Sequence, residues 1–366
     1  MPLGPADDKG TLLYYEDTGV PDESPTYLTL FLVHGALFHG AVFRRMFPFA
    51  ATHNLRIITV NKRGYVGSTP FTSKELDALR GPVEQQREAV EALGIQLAHF
   101  IAWFIEKEKI PPTSRLAEGN GARTGGFALV GWSVGNIVTF SLMANADKLP
   151  EQTRRLFELY FSAFIVYDMP IRASGDPFEH LIYSPWRDPS LSEESRIKAF
   201  GSWISTYCLP LVSLTGDAAT IAARKPLLEN GSNRPVTTVA RMTPDELAST
   251  TDMAAFEHSQ MLVLGVNPII LRDNVQRTLI DARFDVDSGG KKVLWPALQV
   301  KAVWCDMTIG DVVLWHFRLL QRWKTEQQLG HGGARPFEVF RFEKANHFPH
   351  WDDAERFTEF MARILR

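Results

Sequence analysis

The stretch Phe127 to Val138, FALVGWSVGNIV, constrains this chain more than any other. A short apolar strand pattern runs into Gly131-Trp132-Ser133-Val134-Gly135, and a helix pattern follows. That order calls for a sharp strand-to-helix turn with a serine hydroxyl at its tip. A serine in such a turn has a strained backbone, and glycines on either side avoid collision with neighbouring chain. The helix that follows aims its first N–H groups at the same point, where they can hold developing negative charge. The five-residue pattern alone is weak. With glycine at about 7% of residues it arises by chance in roughly one chain in eight of this length. Its meaning depends on what surrounds it.

The surroundings alternate. Short, largely apolar runs over 28–33, 56–61, 127–130, 161–167 and 298–305 read as strands, those at 28–33 and 56–61 buried on both faces, and 11–16 and 337–342 as further strands. Between them lie helical patterns. The longest covers 82–109, with Val90, Leu93, Leu97, Phe100, Ile101 and Phe104 at helical spacing, and Pro111-Pro112 stops it. Others follow Ser133 to about residue 146, span 311–328 and close the chain over 352–366. Residues 111–126 are rich in glycine and polar residues and read as an exposed, mobile loop. The alternation predicts an α/β fold: a mostly parallel, doubly wound sheet with helices on both faces. It fails over 170–292, which holds helix-like pieces, prolines and many aromatics. That segment is expected to be an inserted, mainly helical cap over the strand ends, where open α/β sheets bind ligands. The core is then 1–169 and 293–366.

Bulk composition bounds the function classes. The 366 residues are 45% hydrophobic and 22% charged, enough for a large core, and the net charge of −3 gives no reason to expect nucleic acid or an anionic membrane as a partner. Two cysteines, Cys208 and Cys305, make no disulfide framework. The polar start, MPLGPADDKG, lacks a secretory leader pattern, and the apolar runs read as too short to span a membrane. A cytoplasmic protein without a stable membrane anchor is expected. The sequence does not indicate the oligomeric state. Neither metal-ligand spacing nor a Walker or dinucleotide glycine pattern occurs, so no metal or cofactor is expected.

A serine hydroxyl is a weak nucleophile without a neighbouring base. Among ten histidines, His347 fits best, in the loop between the last strand and the last helix. His350 lies three residues on, close to the helix start. The acid that would orient the imidazole must stand at a strand's carboxyl end. Asp168, after the strand ending at Tyr167, is the first choice and Asp306, after the strand ending at Cys305, the alternative. Asp311 fits a helix start better. The N–H groups of Val134 and of Ala36, in the His34-Gly35-Ala36 turn after an early buried strand, are candidates for an oxyanion hole. Trp132, Tyr183, Trp186 and Trp203 are candidate pocket residues.

His34-Gly35, Asn61-Lys-Arg63-Gly64-Tyr65-Val-Gly67-Ser68, Gly131-Trp-Ser133-Val-Gly135 and Asn346-His347-Phe-Pro-His together resemble the successive signatures of the α/β-hydrolase superfamily. Tyr167-Asp168-Met-Pro170 is similar to fungal-type members of unassigned substrate. The resemblance spans 11–170 and 295–366 and implies an ester-type serine hydrolase with Ser133 and His347 in its triad, favouring Asp168 over Asp306 as the acid. Members that cleave epoxides or carbon–halogen bonds carry aspartate at the elbow, where this chain has serine. Two departures stand out. Thr308 occupies the position where members often carry the acid, and Asn61 replaces the aspartate common before the Arg-Gly turn. The aromatic cap suggests a moderately large apolar ester, lactone or thioester. Acyl transfer by the same residues, or ligand binding without catalysis, are the alternatives.

Overall fold

The computed structural model describes residues 2–22, 24–115, 123–286, 290–329 and 333–366. Eight strands form the central sheet: β1 (Leu3–Pro5), β2 (Leu12–Asp17), β3 (Leu28–Val33), β4 (Leu55–Val60), β5 (Phe127–Trp132), β6 (Phe161–Tyr167), β7 (Gln299–Cys305) and β8 (Phe337–Phe342). Their spatial order is β1-β2-β4-β3-β5-β6-β7-β8. From β4 to β8 all neighbours pair in parallel, while β1 and β2 run antiparallel at one edge. The expected mostly parallel sheet is therefore present. β1, not foreseen from the sequence, is short and polar-flanked, and its Pro5 sits at the sheet edge, where a missing N–H costs little.

The central strands are mostly apolar because both faces are covered. Every residue of β4, β5 and β6 is buried. On one face lies α1 (Val83–Glu108), whose Phe100 and Phe104 rings meet Phe31 of β3 edge-on at 6.2 and 5.3 Å. This helix corrects the expectation about membrane-spanning length. At 26 residues it is long and apolar enough to cross a membrane by length and composition, but its apolar residues pack on the sheet. α2 (Asn136–Ala144), fully buried, follows the β5 turn and packs against α1. α4 (Gly310–Leu329) follows β7, and α5 (Ala354–Leu365) closes the chain, with Phe360 against Phe342 of β8 at 5.0 Å.

Register places the strand ends level. Val33 pairs with Gly131, Gly131 with Val166, Val303 with Tyr167 and Cys305 with Phe342. The loops carrying Gly35, Ser133, Asp168, Asp306 and His347 therefore leave the same edge of the sheet, where ligand sites of open α/β sheets form.

Between β6 and β7 the chain leaves the sheet. It forms α3 (Glu193–Ile204), the helices Pro244–Thr250 and Met261–Gly265 around a π turn at Phe256–Gln260, and the helix Pro268–Val275. A hairpin, Arg283–Val286 with Gly290–Val293, ends the insertion and straddles the expected boundary at 292. Pro268–Val275 packs on α2 of the core, so the last part of the insertion is not a free-standing cap. Residues 116–122 of the expected loop lie outside the described residues; its flanks, Ser114–Arg115 and Arg123–Thr124, pair antiparallel.

Candidate active site

Ser133 stands at the end of β5 with φ +55°, in the left-handed region that serine rarely enters. The flanking glycines are there for space. A Cβ on Gly131 would lie 2.5 Å from Asn136 Oδ1, and one on Gly135 only 2.4 Å from the Val33 carbonyl oxygen. Asn136 braces the turn: its Nδ2 donates to the carbonyls of Gly131 at 2.8 Å and Ser133 at 2.9 Å. No sequence pattern marks Asn136 for that role.

The loop after β8 brings His347 to the same edge. Its Nδ1 lies 2.7 Å from Asp168 Oδ2, and both side chains are buried. Asp168 is held on three sides. Its backbone has φ +47°, its N–H donates to Val303 at 2.8 Å, and its Oδ1 accepts the Cys305 N–H at 2.9 Å. Burial, with Asp168 beside it, pushes the Cys305 thiol well above its usual range, so that group stays neutral. With Nδ1–H facing a carboxylate, the lone pair of His347 is on Nε2, which has no hydrogen-bond partner among the described residues. Trp132 Nε1 donates to the His347 carbonyl at 3.1 Å, and Asn346 ties the loop to Ser205 at 2.6 Å and Thr238 at 2.8 Å of the insertion.

The other candidate acids go elsewhere. Asp306 accepts the Ala345 N–H at 3.3 Å, and its carboxyl is raised by burial. It supports the loop carrying His347 without touching the imidazole. Thr308 is buried with its hydroxyl unpartnered. His350 lies behind the site, its Nδ1 at 2.9 Å from the Tyr167 hydroxyl.

Opposite the elbow, the turn after β3 comes close. A Cβ on Gly35 would lie 2.9 Å from Ser133 Cβ and 3.3 Å from its Oγ, so only glycine fits. Ala36 follows, and then Leu37 with φ +66°. Ala36, Ser133 and Val134 together line one end of a cavity of about 240 Å³. Val134 lies in the first turn after β5, where N–H groups have no intrahelical acceptor. The walls are Ile182, Trp186, Phe200, Trp203, Met261 and Leu264 from the insertion. A polar end is formed by Arg172, Glu179, Arg187 and Asp311.

The sequence model described as the alpha/beta hydrolase family matches residues 30–360. The chain is an alpha/beta hydrolase. Among solved structures, an esterase from Exiguobacterium antarcticum shares 14% identity over 100% of this chain and 99% of its own, with a TM-score of 0.50. A thermophilic esterase from Thermogutta terrifontis shares 14% over 100% and 97%, with a TM-score of 0.48. An epoxide hydrolase from hot-environment metagenomes shares 18% over 100% and 99%, with a TM-score of 0.45. The likeness to the Exiguobacterium esterase speaks to the fold. A search of curated proteins returned no match.

In this alpha/beta hydrolase, Ser133, His347, Asp168, Ala36 and Val134 gather at one edge of the sheet, and Trp186 and Trp203 line the cavity. Two expected pocket residues do not. Trp132 points beneath the site, its ring 5.0 Å from that of His347 and 5.7 Å from that of Phe43. Its position next to the serine on a strand turns it to the opposite face. Tyr183 is 57% exposed, donates to Asp188 at 3.1 Å and lines an outer cleft instead. Asp311, expected at a helix start, lies in the first turn of α4 and reaches the cavity, with Oδ1 accepting the Ile171 N–H at 2.9 Å. Burial pushes its carboxyl up to about 7. Among the described residues no group of three or more His, Cys, Asp or Glu side chains is placed to hold a metal ion.

Proposed function

We propose that this alpha/beta hydrolase cleaves an ester-type bond (carboxylic ester, lactone or thioester) through an acyl-enzyme on Ser133. One observation carries the reading: behind an elbow serine at φ +55°, a buried imidazole has Nδ1 2.7 Å from a buried carboxylate and, among the described residues, Nε2 unpartnered. Ser133 Oγ attacks the carbonyl carbon while His347 Nε2 takes its proton. The oxygen that becomes negative is met by the N–H groups of Ala36 and Val134. His347 then protonates the leaving group, and water, activated the same way, releases the acid. Asp168 keeps the tautomer fixed and stabilises the imidazolium without accepting its proton. Serine at the elbow favours this chemistry over the aspartate-nucleophile routes.

The cavity narrows the substrate. At about 240 Å³ it lies below the usual range of roughly 300–1,000 Å³ for drug-sized ligands, which favours a small to medium acyl or alcohol portion over a large one. The walls favour an apolar body. The guanidinium groups at the polar end are engaged: Arg172 by Glu179 and the Leu264 carbonyl, and Arg187 by Glu179 and the Ile182 carbonyl. They offer little to an anion. A fluorophosphonate probe should label the native protein and leave Ser133→Ala unlabelled, and a series of activated esters should show turnover that falls as the acyl chain lengthens. Equal labelling of both proteins would refute the nucleophile.

A further inference from the structure

Behind the Gly35–Ala36 peptide lies a second layer of hydrogen bonds. The Gly35 carbonyl has two buried groups at 3.0 Å, Lys62 Nζ and His34 Nδ1. Both donate. His34 Nε2 accepts the Lys62 backbone N–H at 3.1 Å, so the ring proton is on Nδ1. Among the described residues no peptide bond is cis, and in a trans peptide the N–H points away from the carbonyl. The Ala36 N–H is therefore turned from Lys62, while Ala36 itself lines the cavity beside Ser133 and Val134. Donors on a carbonyl polarise the whole amide and strengthen its N–H as a donor.

Lys62 itself is unusual. It is 8% exposed, and among the described residues it forms no ion pair. Nζ donates to Gln260 Oε1, from the π turn of the insertion, and lies 5.1 Å from the centre of the Tyr65 ring. Among the described residues no carboxylate is bonded to Nζ; Asp252, the anion that bears on Tyr65, accepts the Val66 and Ala255 N–H groups instead. Burial and the Lys62 charge hold His34 neutral, burial pushes the Tyr65 phenol up, and Arg63 is spent on Glu75. A buried ammonium without a counter-charge is costly. Burial alone pulls it down to about 7.

We propose that Lys62 is a positioning residue for acyl transfer: through the Gly35–Ala36 peptide it orients and polarises the Ala36 N–H, and the oxyanion formed at Ser133 supplies the counter-charge its burial leaves out. This rests on Ser133 being the nucleophile. Gln260 ties the arrangement to the insertion, because a neutral oxygen holds Nζ in place without cancelling its charge.

Two variants test it. Lys62→Met removes the charge at similar size, and Gln260→Glu places a carboxylate against Nζ. Both should still be labelled by a fluorophosphonate at Ser133. Both should lose about 10- to 100-fold in kcat on an activated ester, with KM within about twofold, somewhat less than removal of a direct oxyanion donor costs. An alkylboronic acid, which forms an anionic tetrahedral adduct with serine, should bind more weakly by a similar factor. Gln260→Glu should also raise the thermal midpoint, since it gives Lys62 a partner. A residue that only supports the fold could not combine higher stability with lost turnover. Unchanged kcat in Gln260→Glu would overturn the proposal, as would a rise in KM at constant kcat. Equal labelling of native protein and Ser133→Ala would instead overturn the serine reading.

Discussion

At the scale of single residues, the structure separates two aspartates that sequence left side by side. Asp168 faces the imidazole, while Asp306 serves a backbone N–H in the neighbouring loop. Asp168→Asn should therefore cut kcat by about 10⁴, as a wrong-tautomer imidazole does in serine proteases, whereas Asp306→Asn should stay within about tenfold. Steady-state kinetics on one ester decides it, and equal losses would mean that neither carboxylate holds the base. Asp311 makes a different prediction, about stability. Its carboxyl is raised from 3.8 to about 7, so the folded chain keeps a proton that the unfolded chain releases above pH 4. Its burial then costs nothing below pH 4, costs progressively more as pH rises to 7, and reaches on the order of a few kcal/mol above that. Asp311→Asn keeps an oxygen for the Ile171 N–H and loses the charge. Thermal unfolding should show the variant more stable than the parent at pH 8 and equal to it at pH 4. The same difference at both values would count against a titrating Asp311.

At the scale of elements, the elbow is where close approach of backbone is least forgiving. A Cβ on Gly135 would meet the carbonyl oxygens of Val33 and His34 at 2.4 and 2.5 Å, and neither can swing aside as a side chain could. Gly135→Ala should cost about 1–3 kcal/mol or more in chemical denaturation and abolish Ser133 labelling, and a variant of unchanged stability would contradict the packing. This element was legible because it is local: strand, turn and helix follow each other within about a dozen residues, and each has its own pattern. The buried strands were legible for the same reason. The acid was legible only as a ranked pair, Asp168 before Asp306, because the choice depends on β6 and β7 lying in register, with Tyr167 level with Val303 and the Cys305 N–H reaching Asp168 Oδ1. Strand-end position alone fits both aspartates. Asn136 and Gln260 were missed, since an amide side chain reveals its partners only once distant carbonyls and amines converge on it. The faces of Trp132 and Tyr183 were misjudged because aromatic character says nothing of direction.

At the scale of the whole molecule, the insertion both covers the sheet edge that carries Ser133 and is tied to it. Asp352, just before α5, accepts from Tyr207 at 2.7 Å, from Thr238 and from Arg241 at 2.8 Å, all on the insertion. Those bonds fix the roof over His347. Ile182 and Trp203 lie both on the cavity of about 240 Å³ and on the outer cleft of about 670 Å³, so these side chains are the partition between the two spaces. Removing the larger one should join them. Trp203→Ala should shift selectivity toward longer acyl chains, raising kcat/KM for an octanoyl over a butanoyl ester by about 10-fold or more. A few added methylenes buried in the opened space are each worth roughly 0.8 kcal/mol. The variant should also lose about 3–5 kcal/mol of stability to the cavity it creates, or less if the exposed side of the ring carried little packing. An unchanged chain-length profile in a folded variant would place the substrate's entry elsewhere and leave Trp203 a structural side chain of the insertion.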